Sequence, residues 1–447
     1  MRDRVRSLNT APPGAGGKYV LYWSQMNRRA DGNHALAYAV ERANELELPV
    51  LFYEGLTCSY PHANDRHHTF ILEGVPETER RLKPLGIGYI FYLRRRNSDP
   101  DDVLYRLAAD AAMVVTDDFP VFITPGYNSS VAAKIGAPYH AVDSSCVVPM
   151  NCFQKKEYAA YTLRPKIHRL LPRYLRPVEQ PVVRRRYRRP APGFHTRVTP
   201  TNVAELVASC DIDHSVAPSA GFRGGRVEAE RRLKLFLRDR VGRYAEQANQ
   251  PGAHATSELS PYLHFGCISS LEIALAVGDR SPEFLEQLIV RRELAFNHAR
   301  FSKHPDSLEN VPDWAKLTMR DHRRDRREIT YTREQFARAE TQDALWNAAQ
   351  KEMLRDGKIH GYYRMYWGKK VIEWSRTYRE ALDTLLYIHN RWALDGRDPN
   401  TCANILWLFG LHDRAWSERP VFGKMRYMSL EGMRRKTEVD AYVREMT

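Results

Sequence analysis

Short apolar runs alternate with amphipathic stretches over the first third of the chain. Residues 19–23 (YVLYW) form an apolar run of buried-strand length, and 33–46 then sets Leu36, Ala37, Val40 and Ala43 at helical spacing. The alternation repeats as strand 48–53, helix 68–85, strand 88–93, helix 100–109, strand 113–116 and helix 129–135. Elements of this length and order predict an α/β fold built on a doubly wound, mostly parallel sheet. No GxGxxG follows the first strand, so the usual dinucleotide fingerprint is absent from this half.

Between 147 and 219 the periodicity breaks up. Prolines at 165, 172, 177, 181, 190, 192 and 200 flank an arginine run at 184–189, which predicts a long basic connection whose charge is either solvated or phosphate-facing. After Gly221 the strand pattern vanishes, and 228–243, 269–277, 282–301, 333–339 and 343–356 all show helical spacing. The resulting plan is a disordered lead-in (1–18), an α/β domain (19–146), a proline-rich linker (147–219) and an all-α domain (220–447).

Residues 345–410 are the densest part of the pattern. Trp346, Trp367, Trp374, Trp392 and Trp407 fall inside it, five of the eight tryptophans in the chain. Trp367 and Trp374, seven apart, share a helix face about 10 Å from each other. Arg364 precedes Trp367 by one turn, and an acidic turn, Asp395 to Asn400, follows. From this segment alone, a helical core with an exposed loop is an equally good reading.

Composition narrows the partners. Lys and Arg total 68 against 54 Asp and Glu, a formal charge of +14, which points to a polyanion, nucleic acid first, with a merely basic soluble protein as the alternative. No run of 18 apolar residues predicts a membrane span, and the N-terminus lacks the apolar core of a secretory signal. The six cysteines are scattered without CxxC or His/Cys ligand spacing, so a reduced, cytoplasmic chain without a metal site is expected.

Residues 256–270, TSELSPYLHFGCISS, resemble the flavin-cradling signature of the photolyase/cryptochrome family, preceded by Gly224, Gly225, Ala229, Leu233, Phe236 and Leu237 as in that family. LWNAAQKEML, KIHGYYRMYWGKKVIEW, LDGRDPN, HDRAW and RPVFGKMRYMSLEGMRRK resemble one branch of it, the class II cyclobutane pyrimidine dimer photolyases, as does the opening YVLYWSQMNRRADGNHALAYAVERANELELPV. The resemblance spans nearly the whole chain after residue 18. It implies an antenna-type α/β domain and a helical domain holding FAD in a bent form. It further implies a carbon–carbon lyase in which photoexcited reduced FAD passes an electron to a pyrimidine dimer flipped out of UV-damaged DNA, since the lesion cannot reach the flavin from within the stack. A deazaflavin-type antenna is open by analogy, and a monomer without membrane contact is expected.

The same resemblance assigns roles. Thr256, Ser257, Leu259 and Ser260 carry the FAD phosphate signature, where hydroxyls and N–H groups before a helix suit a pyrophosphate. Arg364 pairs with Asp395 beside the isoalloxazine, where a cation stabilises an anionic reduced ring; Asp398 and Asn400 of the same turn are cofactor residues. Trp367, Trp346 and Trp374 match the proximal, middle and distal members of an electron relay, accompanied by Tyr366 and Tyr331. Asn249, Met365, Trp407, Arg414 and Arg426 match DNA-facing positions, a stackable wall with phosphate-holding arginines, and Tyr244 falls in both the cofactor and DNA sets. Lys424, Arg434, Arg435 and Lys436 either extend this track or form a solvated face.

Four departures fall near the chemistry. Gln287 replaces a lesion-contacting glutamate and cannot supply a proton. His389 stands at the asparagine that faces flavin N5, where an imidazole changes the ring's protonation and redox behaviour. Thr401-Cys402 replaces Gly-Tyr, and Ala248 replaces an arginine. These leave a second reading open, a cryptochrome-like blue-light flavoprotein or a photoenzyme with a changed substrate.

Overall fold

Residues on alternate sides of each apolar run are buried against different helices, which is why the runs are continuous rather than alternating. The computed structural model describes residues 1–12 and 16–446. Its sheet has six strands, β1 Val5–Ser7, β2 Tyr19–Ser24, β3 Val50–Thr57, β4 Gly88–Arg94, β5 Ala111–Asp117 and β6 Tyr139–Val142, in the order β1-β6-β5-β2-β3-β4. All neighbours are parallel except β1, which runs antiparallel to β6. Val20, Tyr22 and Phe52 pack beneath α1 (His34–Glu45) and against Leu82 of α2 (Asp65–Leu85). Tyr19, Leu21 and Tyr53 face α3 (Val103–Ala109) and Val131 of α4 (Thr124–Ala132).

The expected doubly wound sheet is present, with differences at its edges. The helix expected over 129–135 starts at Thr124, inside a Thr-Pro-Gly sequence that reads as a turn. The lead-in is not disordered where it is described. β1 pairs with β6, and the buried Arg4 guanidinium donates to the carbonyls of Asp143, Cys146 and Val147 at 3.1, 2.8 and 2.6 Å. Backbone pairing and one buried cation leave no apolar period to read. Residues 13–15 of that stretch lie outside the described residues.

The 147–219 stretch, expected to lack a core, carries helices α5 (Ala160–Tyr174) and α6 (Val203–Ala208), with Leu163, Ile167 and Leu206 buried. Burial of that apolar stripe outweighs the two prolines inside α5. Part of the arginine run lies back on the sheet domain, where Arg185 pairs with Glu47 at 3.0 Å and Tyr187 meets Tyr19 edge-on.

In the second half, helices Ala344–Asp356, Gly361–Trp374, Tyr378–Trp392 and Pro399–Leu408 enclose a core containing Trp346, Trp367, Leu385 and Leu406. Gly368 lets two of them approach, since a Cβ there would lie 2.3 Å from Leu408 Cδ1. Two stretches expected as continuous helices contain π turns, Phe236–Arg240 and Glu286–Arg291. At the seam between the halves, Arg66 of α2 donates to the carbonyls of Met353 and Trp392 at 2.8 and 2.9 Å, capping two of these helices. Gly266 (φ +68°) abuts the loop after β2, where a Cβ would lie 1.9 Å from the Met26 carbonyl. Among the described residues no helix is long and apolar enough to cross a membrane.

Candidate functional site

His360 starts the 361–374 helix by accepting from the Tyr362 N–H at 3.2 Å, which sets Arg364 on its first turn and Trp367 on the next. The turn after Trp392, with Arg397 in the left-handed region (φ +58°), returns Asp395 to face Arg364. The pairing is bidentate: Nη1 to Oδ1 at 3.1 Å and Nη2 to Oδ2 at 3.3 Å. Ser260 Oγ donates to Asp395 Oδ2 at 2.7 Å, and Lys358 Nζ donates to Ser260 Oγ at 2.7 Å while standing 3.7 Å from Oδ2. Burial alone would raise the Asp395 carboxyl, but Arg364 and then Lys358 hold it well below the carboxylate range. Two cations facing one carboxylate leave a positive surplus suited to an anionic ligand.

His389, on the 378–392 helix, completes the cluster with Nε2 3.0 Å from Arg364 Nη1. Two polar atoms of this cluster are buried with no hydrogen-bond partner among the described residues: Arg364 Nε and His389 Nδ1. Each unpaired buried group costs about 1–3 kcal/mol, so two of them in one cluster point to ligand acceptors. A flavin dinucleotide, with ring nitrogens, carbonyl oxygens and a pyrophosphate, fits that donor set.

The 256–260 loop is pinned from behind. Glu258 (φ +57°) accepts from Arg232 at 2.9 Å and Arg240 at 3.1 Å, and Arg240 also donates to the Thr256 carbonyl at 3.0 Å. Ser257 Oγ accepts from the Leu259 N–H at 3.4 Å, and Leu259 is buried. Thus Ser260, Arg364, His389 and Asp395 come together directly. Asp398 and Asn400 instead cap the 399–408 helix: Asp398 accepts from Asn400 N and Nδ2, each at 2.9 Å, and from His264 Nδ1 at 3.2 Å. Tyr244 packs edge-on against Phe284 and Phe236. Lys358, Arg232 and Arg240 were not singled out from the sequence; the single signal for Lys358 is its place in KIHGYY.

The tryptophans form a continuous file. Trp367 and Trp346 stack with ring centres 6.0 Å apart and planes 11° apart, Trp346 meets Trp374 at 6.4 Å, and Trp374 meets Tyr331 at 5.6 Å. The Trp346 indole donates to the Trp367 carbonyl at 2.9 Å and Trp367 donates to Gln350 Oε1 at 3.0 Å, which locks both rings. All three are buried. Tyr366 donates to Asp343, and burial, then that carboxylate, raise its phenol.

A second aromatic group lies toward the surface. Lys369 Nζ and Arg426 Cζ each sit 5.6 Å from the Trp407 ring centre, and Arg426 and Arg414 lie 5.1 and 4.6 Å from Trp416. Lys369 is buried, donates to the Leu408 carbonyl at 2.6 Å, and is pushed down to about 7 by burial. Met365 is half-buried near this core, whereas Asn249 and Gln287 are exposed, Gln287 on a π turn. Trp416 was missed; the cation–aromatic alternation in HDRAW is its signal.

A cleft opens beyond the carboxyl ends of β2 and β3, at the point where strand order reverses between β2 and β5. Such switch points are where open α/β sheets bind ligands. Trp23, Tyr60, Phe122 and Tyr127 supply flat apolar walls, and Arg28 and Arg397 supply charge.

Known proteins similar to this chain cover nearly its whole length. A family model described as DNA photolyase matches residues 20–182. A deoxyribodipyrimidine photo-lyase of Methanothermobacter thermautotrophicus is 40% identical over 446 residues, covering 99% of this chain and 97% of that protein. The fold is similar to a Synechocystis cryptochrome (TM-score 0.71, 16% identity, 97% of this chain and 89% of that one). It is likewise similar to an archaeal photolyase from Sulfolobus tokodaii, solved with two FAD molecules (TM-score 0.68, 17% identity, 96% and 90%).

Proposed function

Because this chain belongs to the DNA photolyase family, we propose that it is a deoxyribodipyrimidine photo-lyase that uses light and FAD to split cyclobutane pyrimidine dimers in UV-damaged DNA, and that it lies in the class II branch. The observation that carries this reading is the file Trp367–Trp346–Trp374, which begins one helical turn from the Arg364–Asp395 pair. A plain DNA-binding protein has no use for such a file.

FAD, when bound, supplies the light-absorbing redox centre. Ser260, Lys358, Arg364 and Asp395 hold it, with the cationic surplus favouring a negatively charged ring. Trp367 stands nearest, and Trp346 and Trp374 carry electrons inward from the surface side. Trp407 and Met365 form the wall against a flipped pyrimidine, and Arg414 and Arg426 hold the flanking phosphates. Residues 19–146 serve as the antenna-type domain and 220–447 as the cofactor domain, joined by 147–219. The cleft beside Trp23 would hold a planar second chromophore of the deazaflavin type, with Arg28 and Arg397 supplying positive charge to an anionic one. The enzyme works as a monomer in the compartment that holds the DNA, the cytoplasm.

The test is to illuminate FAD-loaded, reduced protein with a UV-damaged oligonucleotide and count intact bases. Restoration under blue light and none in the dark is expected. A protein that photoreduces its flavin but leaves dimers intact would instead support the second reading, a sensor or a photoenzyme with another substrate. The buried His389 and the exposed Gln287 favour that second reading.

A further inference from the structure

Five arginines in six residues, Arg184, Arg185, Arg186, Arg188 and Arg189 around Tyr187, repel one another, and a flexible linker lets such charges spread apart. Here the run is tied down as a strap. Asn44 Nδ2 donates to the Val182 carbonyl at 2.8 Å, and Asn44 Oδ1 accepts from the Arg184 N–H at 3.0 Å. The Tyr187 N–H donates to the Gly86 carbonyl at 2.8 Å, and its ring covers Gly88 so closely that a Cβ there would come within 2.5 Å. Beyond the run, the Thr196 N–H donates to the Phe91 carbonyl at 2.7 Å on the edge strand β4. All five arginines are exposed. Arg185 pairs with Glu47 at 3.0 Å, whereas Arg184, Arg188 and Arg189 form no ion pair among the described residues. Asp110, which borders Tyr187, is already taken by Lys18 at 2.7 Å.

The strap lies at the amino end of the sheet. Asn44 and Glu47 lead into β3, Gly86 and Gly88 into β4, and Tyr19 opens β2. The helical half meets the opposite end, where His264, Phe265 and Arg397 border the cleft. The strands between the two ends span roughly 25 Å. We propose that the strap is a second binding site, for the phosphodiester backbone of undamaged duplex DNA, separate from the face that carries Trp407. Guanidiniums hold phosphates through paired N–H donors without regard to base, and each phosphate held releases a counterion. A duplex carries negative charge along its whole length, so it satisfies neighbouring arginines together, which one small anion does not. Because the two faces lie at opposite ends, one molecule holds two duplex segments at once. The site goes beyond the repair reading and needs neither FAD nor light.

The triple variant Arg184→Ser, Arg188→Ser, Arg189→Ser removes three charges that no carboxylate pairs, so its melting midpoint should match the wild type. Binding of an undamaged duplex to the FAD-loaded, full-length protein is measured in the dark over a range of salt concentrations. The variant should bind more weakly and flatten the plot of log K against log salt by about 2–3, at roughly 0.9 per phosphate contact. Light-driven restoration of a short dimer-containing oligonucleotide should be unchanged. Bridging is read by fixing a dimer-containing duplex to beads, loading protein and adding a labelled undamaged duplex. The wild type should retain the label and the variant should not. An unchanged salt slope in the variant marks a merely solvated run and overturns the proposal, as does a wild type that captures no second duplex. Tighter capture of single-stranded RNA than of duplex DNA also overturns it. Absence of repair in both proteins would count against the functional reading alone, because binding in the dark is measured separately.

Discussion

Arg364→Ala leaves the Asp395 carboxylate in the interior without its bidentate partner. Removing one member of a buried ion pair typically costs about 3–5 kcal/mol, because the remaining charge is stranded. Two features reduce the figure here. Asp395 keeps the Ser260 hydroxyl at 2.7 Å and Lys358 at 3.7 Å, and the Arg364 side chain is 21% exposed, so water shares the screening. A cost of about 2–3 kcal/mol to the FAD-free chain follows. Asp395→Asn should cost a similar amount by stranding Arg364. The double variant should cost clearly less than the sum of the two, because neither charge is then left alone. Thermal unfolding followed by tryptophan fluorescence reads this directly, since five of the eight tryptophans lie in 345–410. Arg364→Ala should also lose FAD on gel filtration. An unchanged melting midpoint for Arg364→Ala, or a double variant as unstable as the two singles summed, would refute the reasoning.

Trp346→Phe should fold, keep its flavin and lose photoreduction, because it removes the ring between Trp367 and Trp374; photoreduction at the wild-type rate would show that the file is packing alone. Trp407→Ala should weaken binding to dimer-containing DNA by about 1–3 kcal/mol at every salt concentration, whereas Arg426→Ala should also flatten the salt dependence by about one phosphate; equal salt slopes in both variants would count against their assignments. Burial raises the Glu293 carboxyl to about 8 from 4.5 despite Arg292 and the Val147 N–H, so the folded chain keeps a proton that the unfolded chain has lost. Stability should therefore fall as pH rises towards 8, by at most about 1.4 kcal/mol per unit, and Glu293→Gln should flatten urea-unfolding stability between pH 7 and 8; an identical slope in the variant refutes this. Gly266→Ala should destabilise the chain by more than about 3 kcal/mol, since strain at positive φ adds to a backbone clash with Met26; wild-type urea stability would contradict that contact.

What could be read from the sequence follows from what leaves a local signature. β2 and β5 were legible because every residue in them is buried. β1 was not, because three half-polar residues pair with an edge through their backbones. The seven-residue spacing of Trp367 and Trp374 has a helical meaning on its own, but Trp346 reaches the gap between them from another helix, so its placement was legible through the family resemblance and not through periodicity. The cleft had no motif because its walls come from two strand ends, a helix start and Arg397 of the distant acidic turn.

The departures from the family pattern separate on the same physical ground. Thr401 donates its hydroxyl to the Asp395 carbonyl at 3.1 Å and so keeps the turn that presents Asp395. Cys402 is half-buried beside the Phe119 and Phe296 group, and the half-buried Ala248 ends a short helix. Gln287 is solvated on its π turn. Each of these substitutions is satisfied where it stands. His389 differs, because its Arg364 contact uses up the acceptor and leaves a buried donor unmatched. A fold tolerates such a donor when something that is not protein meets it. The histidine is therefore the one of these positions that leaves a polar group open to a ligand and does not serve packing alone.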